Sequence, residues 1–280
     1  MKAVINKIIP FSSVDGPGNR TAVFLQGCNI DCKYCHNPET RKLCIQCGAC
    51  VEKCPSGALS MNAEGRVVYD SKLCVQCDTC IHVCKNDSSP RTREMTPEEV
   101  YAVVKKQIPF IRGLTVSGGE CMLWPEFLTE LFWLAKKDGL NTLIDSNGMV
   151  AFQAYPELLE VTDGVMLDIK AFDKADYFNV TGYSNEVVLE NAKYLAGIGK
   201  LSEVRVVVVQ DLYDAEKSVK QICEFLSACA DFNKIRIKLI SYRPIGVREE
   251  YSHYQMPSDS FMNQLSNIVR IYGFENIIII

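Results

Sequence analysis

The sequence predicts an α/β fold, a partial (β/α)6 barrel that carries a small metal-binding insert. Apolar strands alternate with amphipathic helices through six or more units, which is the pattern of a parallel sheet covered by helices. Eleven of the 14 cysteines fall between residues 28 and 84, where the insert itself offers almost no apolar core. We therefore assign residues 1–43 and 86–280 to the barrel and residues 44–85 to the insert.

The barrel elements follow one another along the chain. The predicted strands are TAVFLQG, GLTVS, NTLIDS, GVMLDIK, EVRVVVV and KIRIKLI, and the tail NIIII can add a last strand. The first helix begins after Thr96, with Pro97 at its first position and Glu99 closing a capping box. Later helices are predicted in PEFLTELFWLAKK, around YPELLE, in NEVVLENAKYLAGIG, from Ala215 and from Ser258.

The composition excludes several classes of function. A net charge of −4 gives no basic surface for nucleic acid. No apolar run approaches the ~20 residues that cross a membrane, and the first residues lack the pattern of a secretory signal. We therefore expect a cytoplasmic protein, in which clustered cysteines indicate metal ligands rather than disulfides. Of the scattered cysteines, Cys121, Cys223 and Cys229, the last two are interpreted as packing residues.

The run GCNIDCKYCHN is the most informative segment. Its cysteines, Cys28, Cys32 and Cys35, have the spacing CxxxCxxC. Three thiolates can hold three irons of a 4Fe-4S cluster and leave the fourth iron free to bind another group. Structural zinc sites and electron carriers close all four positions. The loop therefore predicts a cluster that carries out chemistry at an open iron.

The insert contains an internal repeat, CIQCGACVEKCP followed by CVQCDTCIHVCK, and each copy has the spacing CxxCxxCxxxC. A hairpin with a turn near Glu64 and Gly65 is predicted between the copies. In the bacterial ferredoxin pattern the fourth cysteine of each run ligates the other cluster. One predicted ligand set is therefore Cys44, Cys47, Cys50 and Cys84, and the other is Cys74, Cys77, Cys80 and Cys54. Lys85 departs from this pattern, which usually has proline there. The alternative, a pair of zinc knuckles, would favour two separated pairs of ligands.

Polar residues end successive predicted strands. Catalytic residues of parallel α/β folds lie at the carboxyl ends of the strands. Asp168 and Lys170 also share one side, because strand residues alternate. The segments concerned are SGGE at 117–120, DSNG at 145–148, Asp168 with Lys170, Arg205, and Tyr242 with Arg243. We expect several of these groups to converge on one charged ligand.

Together these segments resemble those of a known family. VDGPGNRTAVFLQGCNIDCKYCHN, VSGGE, DSNGM, MLDIKAF and the pair Thr181 and Gly182 are similar to the motifs of radical S-adenosylmethionine (SAM) enzymes, specifically glycyl radical enzyme activating enzymes. The resemblance covers essentially the whole chain. With its double 4Fe-4S ferredoxin-like insert, the sequence is most similar to the YjjW branch.

The resemblance implies roles for residues around SAM. Cys28, Cys32 and Cys35 would ligate the catalytic cluster, and the SAM amino and carboxylate groups would bind the fourth iron. The adenine would contact Tyr34 and the backbone at His36. The methionyl ammonium would meet Gly118, Gly119 and Glu120.

Further positions carry over from the same resemblance. Lys170 would pair with the SAM carboxylate. Arg243 stands where the family often has histidine, and its guanidinium cannot lose a proton near neutral pH. Asp15 and Arg205 would hold the glycine loop of the partner. A monovalent cation would be held by Asp145, Ser146, the carbonyl of Met166, and Asp168.

The implied activity is reductive cleavage of SAM to a 5′-deoxyadenosyl radical, which abstracts hydrogen from a glycine of a partner glycyl radical enzyme. The auxiliary clusters would relay electrons from a donor such as flavodoxin or ferredoxin. Two alternatives stay open, a radical SAM enzyme for a small molecule and an electron-transfer ferredoxin fused to an inert barrel. The VDGPG motif disfavours the first, and the three-cysteine loop disfavours the second.

Overall fold

A computed structural model describes residues 1–280 and contains two sheets. The strands are β1 (Ala3–Ser12), β2 (Arg20–Leu25), β3 (Leu59–Met61), β4 (Val67–Tyr69), β5 (Arg93–Met95), β6 (Gly113–Gly118), β7 (Asn141–Ser146), β8 (Gly164–Asp168), β9 (Leu201–Val208), β10 (Arg236–Ser241) and β11 (Ile277–Ile279). The helices are α1 (Thr79–His82), α2 (Pro97–Lys105), α3 (Pro125–Lys137), α4 (Pro156–Glu160), α5 (Lys174–Thr181), α6 (Glu186–Gly197), α7 (Ala215–Ser227) and α8 (Asp259–Ile271).

The large sheet has nine strands in the order β11-β10-β9-β8-β7-β6-β2-β1-β5. The six predicted barrel strands, β2 and β6 to β10, are parallel and lie in chain order, and β11 adds a parallel strand from the tail. The sheet curls so that β10 comes near the segment that follows β1. Lys238 Nζ on β10 lies 3.5 Å from the carbonyl oxygen of Val14 in that segment. The carboxyl ends of the parallel strands therefore meet at one mouth.

Three elements of the barrel were not predicted, and neither was the short helix α1 in the insert. β1 and β5 are antiparallel strands that extend the sheet at one edge. Partly exposed residues are spread along β1, whose pairing with β2 is irregular at two places, so it lacks the apolar run of a buried strand. α5 does not concentrate its apolar residues on one face, and helical periodicity therefore gives no signal there.

The predicted helix starts are confirmed by their caps. Thr96 Oγ1 accepts from the backbone N–H of Glu99 at 3.3 Å, and the Glu99 carboxylate accepts from the N–H of Thr96 at 2.8 Å. Ser258 caps α8 in the same way, accepting from the N–H of Phe261. α3 coincides with the predicted PEFLTELFWLAKK segment and buries Leu128 and Phe132 against the sheet.

The barrel segments on either side of the insert are bonded to each other. Lys42 N–H donates to the carbonyl of Asp87 at 3.1 Å, and the Asn86 side chain donates to the carbonyl of Leu43 at 2.9 Å. Between these ends, β3 and β4 form the predicted hairpin, with Gly65 in its turn at a φ of +70°. None of the helices in the chain is both long and apolar enough to cross a membrane.

Candidate active site

A cavity of about 350 Å³ lies at the mouth of the parallel sheet. Its wall contains the three cysteines of the CxxxCxxC loop and polar groups from the ends of β6, β7, β8 and β9. The predicted site residues that line it are Asp15, Cys28, Cys32, Tyr34, Cys35, His36, Gly118, Gly119, Asp145, Ser146, Asp168, Lys170 and Arg205. Glu120, Met166 and Arg243 are not in this lining.

The cysteine loop is fixed by bonds to distant segments. Cys28 N–H donates to the carbonyl of Arg41 at 2.8 Å. The Asp31 carboxylate is clamped between Arg41 at 2.6 Å and Arg248 at 2.5 Å, and Arg248 also donates to the carbonyl of Cys32 at 3.2 Å. The loop is therefore held in shape by two guanidinium groups that sequence reasoning did not assign to the site.

Asn147 was also missed as a site residue. Its side-chain amide lies 3.6 Å from Cys28 Sγ and donates to Asn29 Oδ1 at 2.9 Å. The available signal was its position in DSNGM, directly after a strand that ends at the cavity. An amide beside a thiolate ligand can tune the electronic properties of a bound cluster.

The donor set fits a cluster with one open iron. Three thiols and no fourth cysteine line the cavity. Burial raises the pKa of Cys28 to about 11 and that of Cys32 to about 12. These thiols are therefore neutral in the metal-free chain, and cluster binding must displace their protons.

A buried ion pair faces the cysteines. Lys170 Nζ lies 2.6 Å from Asp168 Oδ2, as their alternation on one strand side predicted, and 5.8 Å from the centre of the Tyr34 ring. Burial lowers the pKa of Lys170, but the neighbouring Asp168 carboxylate outweighs it, and the pKa ends well above its usual value. The cavity thus keeps an ammonium group. The buried Tyr34 hydroxyl has no hydrogen-bond partner.

A second charged network lies below this pair. Arg205 Nη1 is 2.7 Å from Asp145 and its Nε is 2.6 Å from Glu203, while Ser117 Oγ donates to Asp145 at 2.9 Å. Arg205 Nη2 lies 3.1 Å from the sulfur of Met166. Burial raises the pKa of Asp145, although the Arg205 charge opposes the shift. Arg205 therefore pairs with two carboxylates inside the sheet.

Glu120 lies behind the cavity wall and is only 1% exposed. Its carboxylate accepts from Ser146 Oγ at 2.8 Å, from Asn147 N–H at 2.7 Å and from Met122 N–H at 2.9 Å. Burial raises the pKa of Glu120 to about 7 despite these donors. In this structure Glu120 shapes the turn after β7, and its contact with the methionyl ammonium stays a prediction.

Gly118 and Gly119 allow β6 to pack closely against the start of the cysteine loop. A Cβ on Gly118 would lie 2.2 Å from the carbonyl oxygen of Leu25, and one on Gly119 would lie 2.2 Å from that of Gly27. Gly118 also has a φ of +129°, which side chains rarely adopt. Arg243, by contrast, is exposed, so its predicted contact with SAM is not preformed.

The insert cysteines surround two further cavities. One is lined by Cys44, Cys47, Cys50 and Cys84, and the other is lined by Cys54, Cys74 and Cys77, with Cys80 touching both. All of the cysteines are free thiols. The grouping is compatible with the crossed ligand sets predicted from the repeat.

Comparison with known proteins gives a consistent result. The sequence profile of the radical SAM superfamily matches residues 22–226. The chain is 30% identical to the choline trimethylamine-lyase activating enzyme of Oleidesulfovibrio alaskensis, over 98% of this chain and 96% of the relative. It is 32% identical to the pyruvate formate-lyase-activating enzyme of Streptococcus mutans, over 87% of this chain and 78% of the relative.

A solved structure supports the fold. A domain of the pyruvate-formate lyase-activating enzyme of Bacteroides vulgatus superposes with a TM-score of 0.51 at 23% identity, covering 60% of this chain and 98% of that domain. Radical SAM enzymes use a 4Fe-4S cluster and SAM, which agrees with the three-cysteine loop. The chain is therefore an oxidoreductase-type enzyme that belongs to the radical SAM superfamily and, within it, to the activating enzymes of glycyl radical enzymes.

Proposed function

We propose that this enzyme generates a radical on one glycine of a partner glycyl radical protein. The observation that carries the proposal is the cavity in which three thiols, without a fourth cysteine, face the Lys170–Asp168 pair. Cys28, Cys32 and Cys35 would hold a cluster that would supply one electron to the SAM sulfonium. Cleavage of the bond from sulfur to the 5′-carbon would release methionine, and the 5′-deoxyadenosyl radical would take hydrogen from the glycine α-carbon. The protein's own part is to bind, orient and exclude water.

Cavity residues would orient SAM. Lys170 is already charged and 2.6 Å from Asp168, so its ammonium can contact a carboxylate brought into the cavity. The backbone at Gly118 and Gly119 would receive the methionyl end. Tyr34 and the backbone at His36 would contact the adenine, and Arg243 could reach SAM only by moving inward from its exposed position.

A monovalent cation would lie beside the SAM carboxylate. Asp145 and Asp168 line the cavity, with Ser146 beside them and the buried Met166 on the neighbouring strand. Asp145 is bonded to Arg205, so a cation would share this carboxylate with the guanidinium.

The partner's glycine loop would enter between Asp15 and Arg205. Both residues line the cavity, on opposite sides of the curled sheet. Asp15 is held in place because its carboxylate accepts from Ser12 Oγ at 2.5 Å and its carbonyl accepts from Thr115 Oγ1 at 2.6 Å. A fixed carboxylate and a fixed guanidinium can bond the backbone of an extended peptide.

We further propose that residues 44–85 form a ferredoxin-like unit with two auxiliary 4Fe-4S clusters that relay electrons from flavodoxin or ferredoxin. The two cysteine-lined cavities and the repeated CxxCxxCxxxC spacing support this proposal, and with such an insert the chain would belong to the YjjW branch. Eleven clustered free thiols also favour a reducing compartment such as the cytoplasm.

The activity can be tested with the anaerobically reconstituted protein. We expect dithionite-reduced enzyme to convert SAM to methionine and 5′-deoxyadenosine. Adding a glycyl radical protein encoded next to its gene should give a glycyl radical signal in electron paramagnetic resonance. 5′-Deoxyadenosine formation without that signal, but with turnover of a small molecule, would favour the alternative radical SAM activity.

The relay can be tested with a Cys74→Ala/Cys77→Ala variant. It should bind SAM with unchanged affinity, because neither cysteine lines the SAM cavity. Radical formation with reduced flavodoxin should fall by about tenfold or more, because metal ligands support both a cluster and the local fold. Unchanged flavodoxin-driven radical formation would assign the insert a structural or docking role.

A further inference from the structure

The first repeat of the insert presents an exposed apolar edge beside its thiols. Leu43 is 50% exposed and Ile45 is 65% exposed, and Cys47 is exposed next to them. Ile45 and Cys47 both line the cavity of Cys44, Cys50 and Cys84. We call the surface formed by Leu43, Ile45 and Cys47 the first-repeat face. At this face, only one layer of side chains would separate a cluster in this cavity from solvent.

Cations without partners flank this face. Lys42 and Lys85 are exposed, and Lys85 lines the same cavity. The exposed Arg66 precedes Val67, which lines the same cavity and donates its N–H to Gln46 Oε1 at 2.7 Å. The ion pairs of this region engage Arg41 and Arg91 and leave these three cations unpaired.

The second repeat has a similar apolar edge but a different charge pattern. Val75 is 65% exposed, like Ile45, and precedes the exposed Cys77. Here the carboxylate of Asp78 is present and already bonded to Arg91 at 2.7 Å. The carboxylate of Asp70 is also nearby and accepts from the N–H of Lys72. At the second repeat these two carboxylates therefore offset the charges of Arg91 and the exposed Lys72, whereas no carboxylate is paired with the cations of the first-repeat face.

The first-repeat face also connects directly to the active site. Lys42 and Leu43 are bonded to Asp87 and Asn86 at the end of the insert. Arg41 joins Asp87, at 2.7 Å, to Asp31 of the cysteine loop, at 2.6 Å. A partner bound at this face would therefore be close to the segment that leads to Cys28.

We propose that the first-repeat face docks a small acidic protein that carries one electron. Apolar contact would exclude water over the thiols, and Lys42, Arg66 and Lys85 would attract and orient the acidic surface. The carrier is oxidised by one electron, the insert is reduced by one electron, and no bond is made or broken. This inference rests on the proposed relay.

The experiment compares two charge reversals of equal size in the reconstituted full-length enzyme. Lys42→Glu/Arg66→Glu alters the first-repeat face, and Lys53→Glu/Lys72→Glu alters exposed lysines elsewhere on the insert. The probe is flavodoxin, whose Kd is measured at low and high salt. We expect the first variant to weaken binding about tenfold at low salt, with the difference fading at high salt, and the second to stay within about twofold of wild type.

Dithionite-driven SAM cleavage and iron content are measured in the same proteins. Both should be unchanged in the two variants, because the altered residues ligate no metal and lie outside the SAM cavity. Equal weakening by the two variants, or none by the first, would overturn the docking proposal while leaving the relay intact. Wild-type protein that holds iron for only one cluster would instead contradict the relay itself.

Discussion

A Cys32→Ala variant is expected to lose reductive SAM cleavage completely while keeping its fold. The loop supplies only three thiols to the cavity, and two thiolates cannot hold a cubane cluster in place. Cys32 is buried, but removing its sulfur deletes a single atom, so the fold should tolerate the change at a cost of about 1 kcal/mol. Chromatography of 5′-deoxyadenosine after dithionite reduction should show background levels.

Cys223→Ala provides the matched control. Cys223 is also fully buried, on α7, and no other cysteine accompanies it at a cavity. This variant should keep both SAM cleavage and its full iron content, whereas Cys32→Ala should lose the iron of one cluster. Retained cleavage in Cys32→Ala, or an equal loss in Cys223→Ala, would refute the assignment of the catalytic ligands.

An Arg205→Met variant is expected to be strongly destabilised. The substitution leaves Asp145 inside the sheet without its guanidinium partner and leaves Glu203 with only the more distant Arg236. Breaking a buried ion pair by removing one partner costs about 3–5 kcal/mol, because the remaining charge stays desolvated. Anaerobic unfolding of the metal-free protein in urea at pH 7 should show this loss as a lower midpoint with an unchanged slope.

The pH dependence of this loss has a definite sign. An unpaired buried carboxylate has a folded pKa above its unfolded value, so it destabilises the fold only when the pH is high enough to ionise it. The difference between Arg205→Met and wild type should therefore shrink as the pH is lowered towards 4. Arg236→Met, which removes a more exposed partner 3.3 Å from Glu203, should cost clearly less. Equal losses in the two variants would contradict the special role of Arg205.

Periodicity and cap chemistry were sufficient to predict the barrel. α3 and β7 coincide with their predicted segments because each has a single clear pattern between strong start and stop residues. β1 and α5 were missed because neither segment has such a pattern. Their stability comes from the strand and loops they contact rather than from local spacing, and such contacts are not visible in a single segment.

The parts of the site that depend on the spacing of residues along the sequence were predictable. The cysteine triplet and the polar residues at strand ends do meet at one cavity. The clamp on Asp31 could not be found this way, because Arg248 is 217 residues away from it in the chain. Glu120 shows a different limit of the sequence prediction. It follows β6 as predicted, but its carboxylate accepts hydrogen bonds from Ser146 and Asn147 at the end of β7 and so lies behind the cavity wall.

Arg41 bonds Asp87, which follows the insert, on one side and Asp31 of the catalytic loop on the other. Excising residues 44–85 would remove the chain that joins Arg41 to Asp87, and a new connection would have to hold this pair and the Arg41 carbonyl that anchors Cys28 in the same positions. The insert is consequently not an appendage that can be trimmed away without effect. The activity of a shortened chain would therefore depend on whether the catalytic loop kept its position as well as on the loss of the proposed auxiliary clusters.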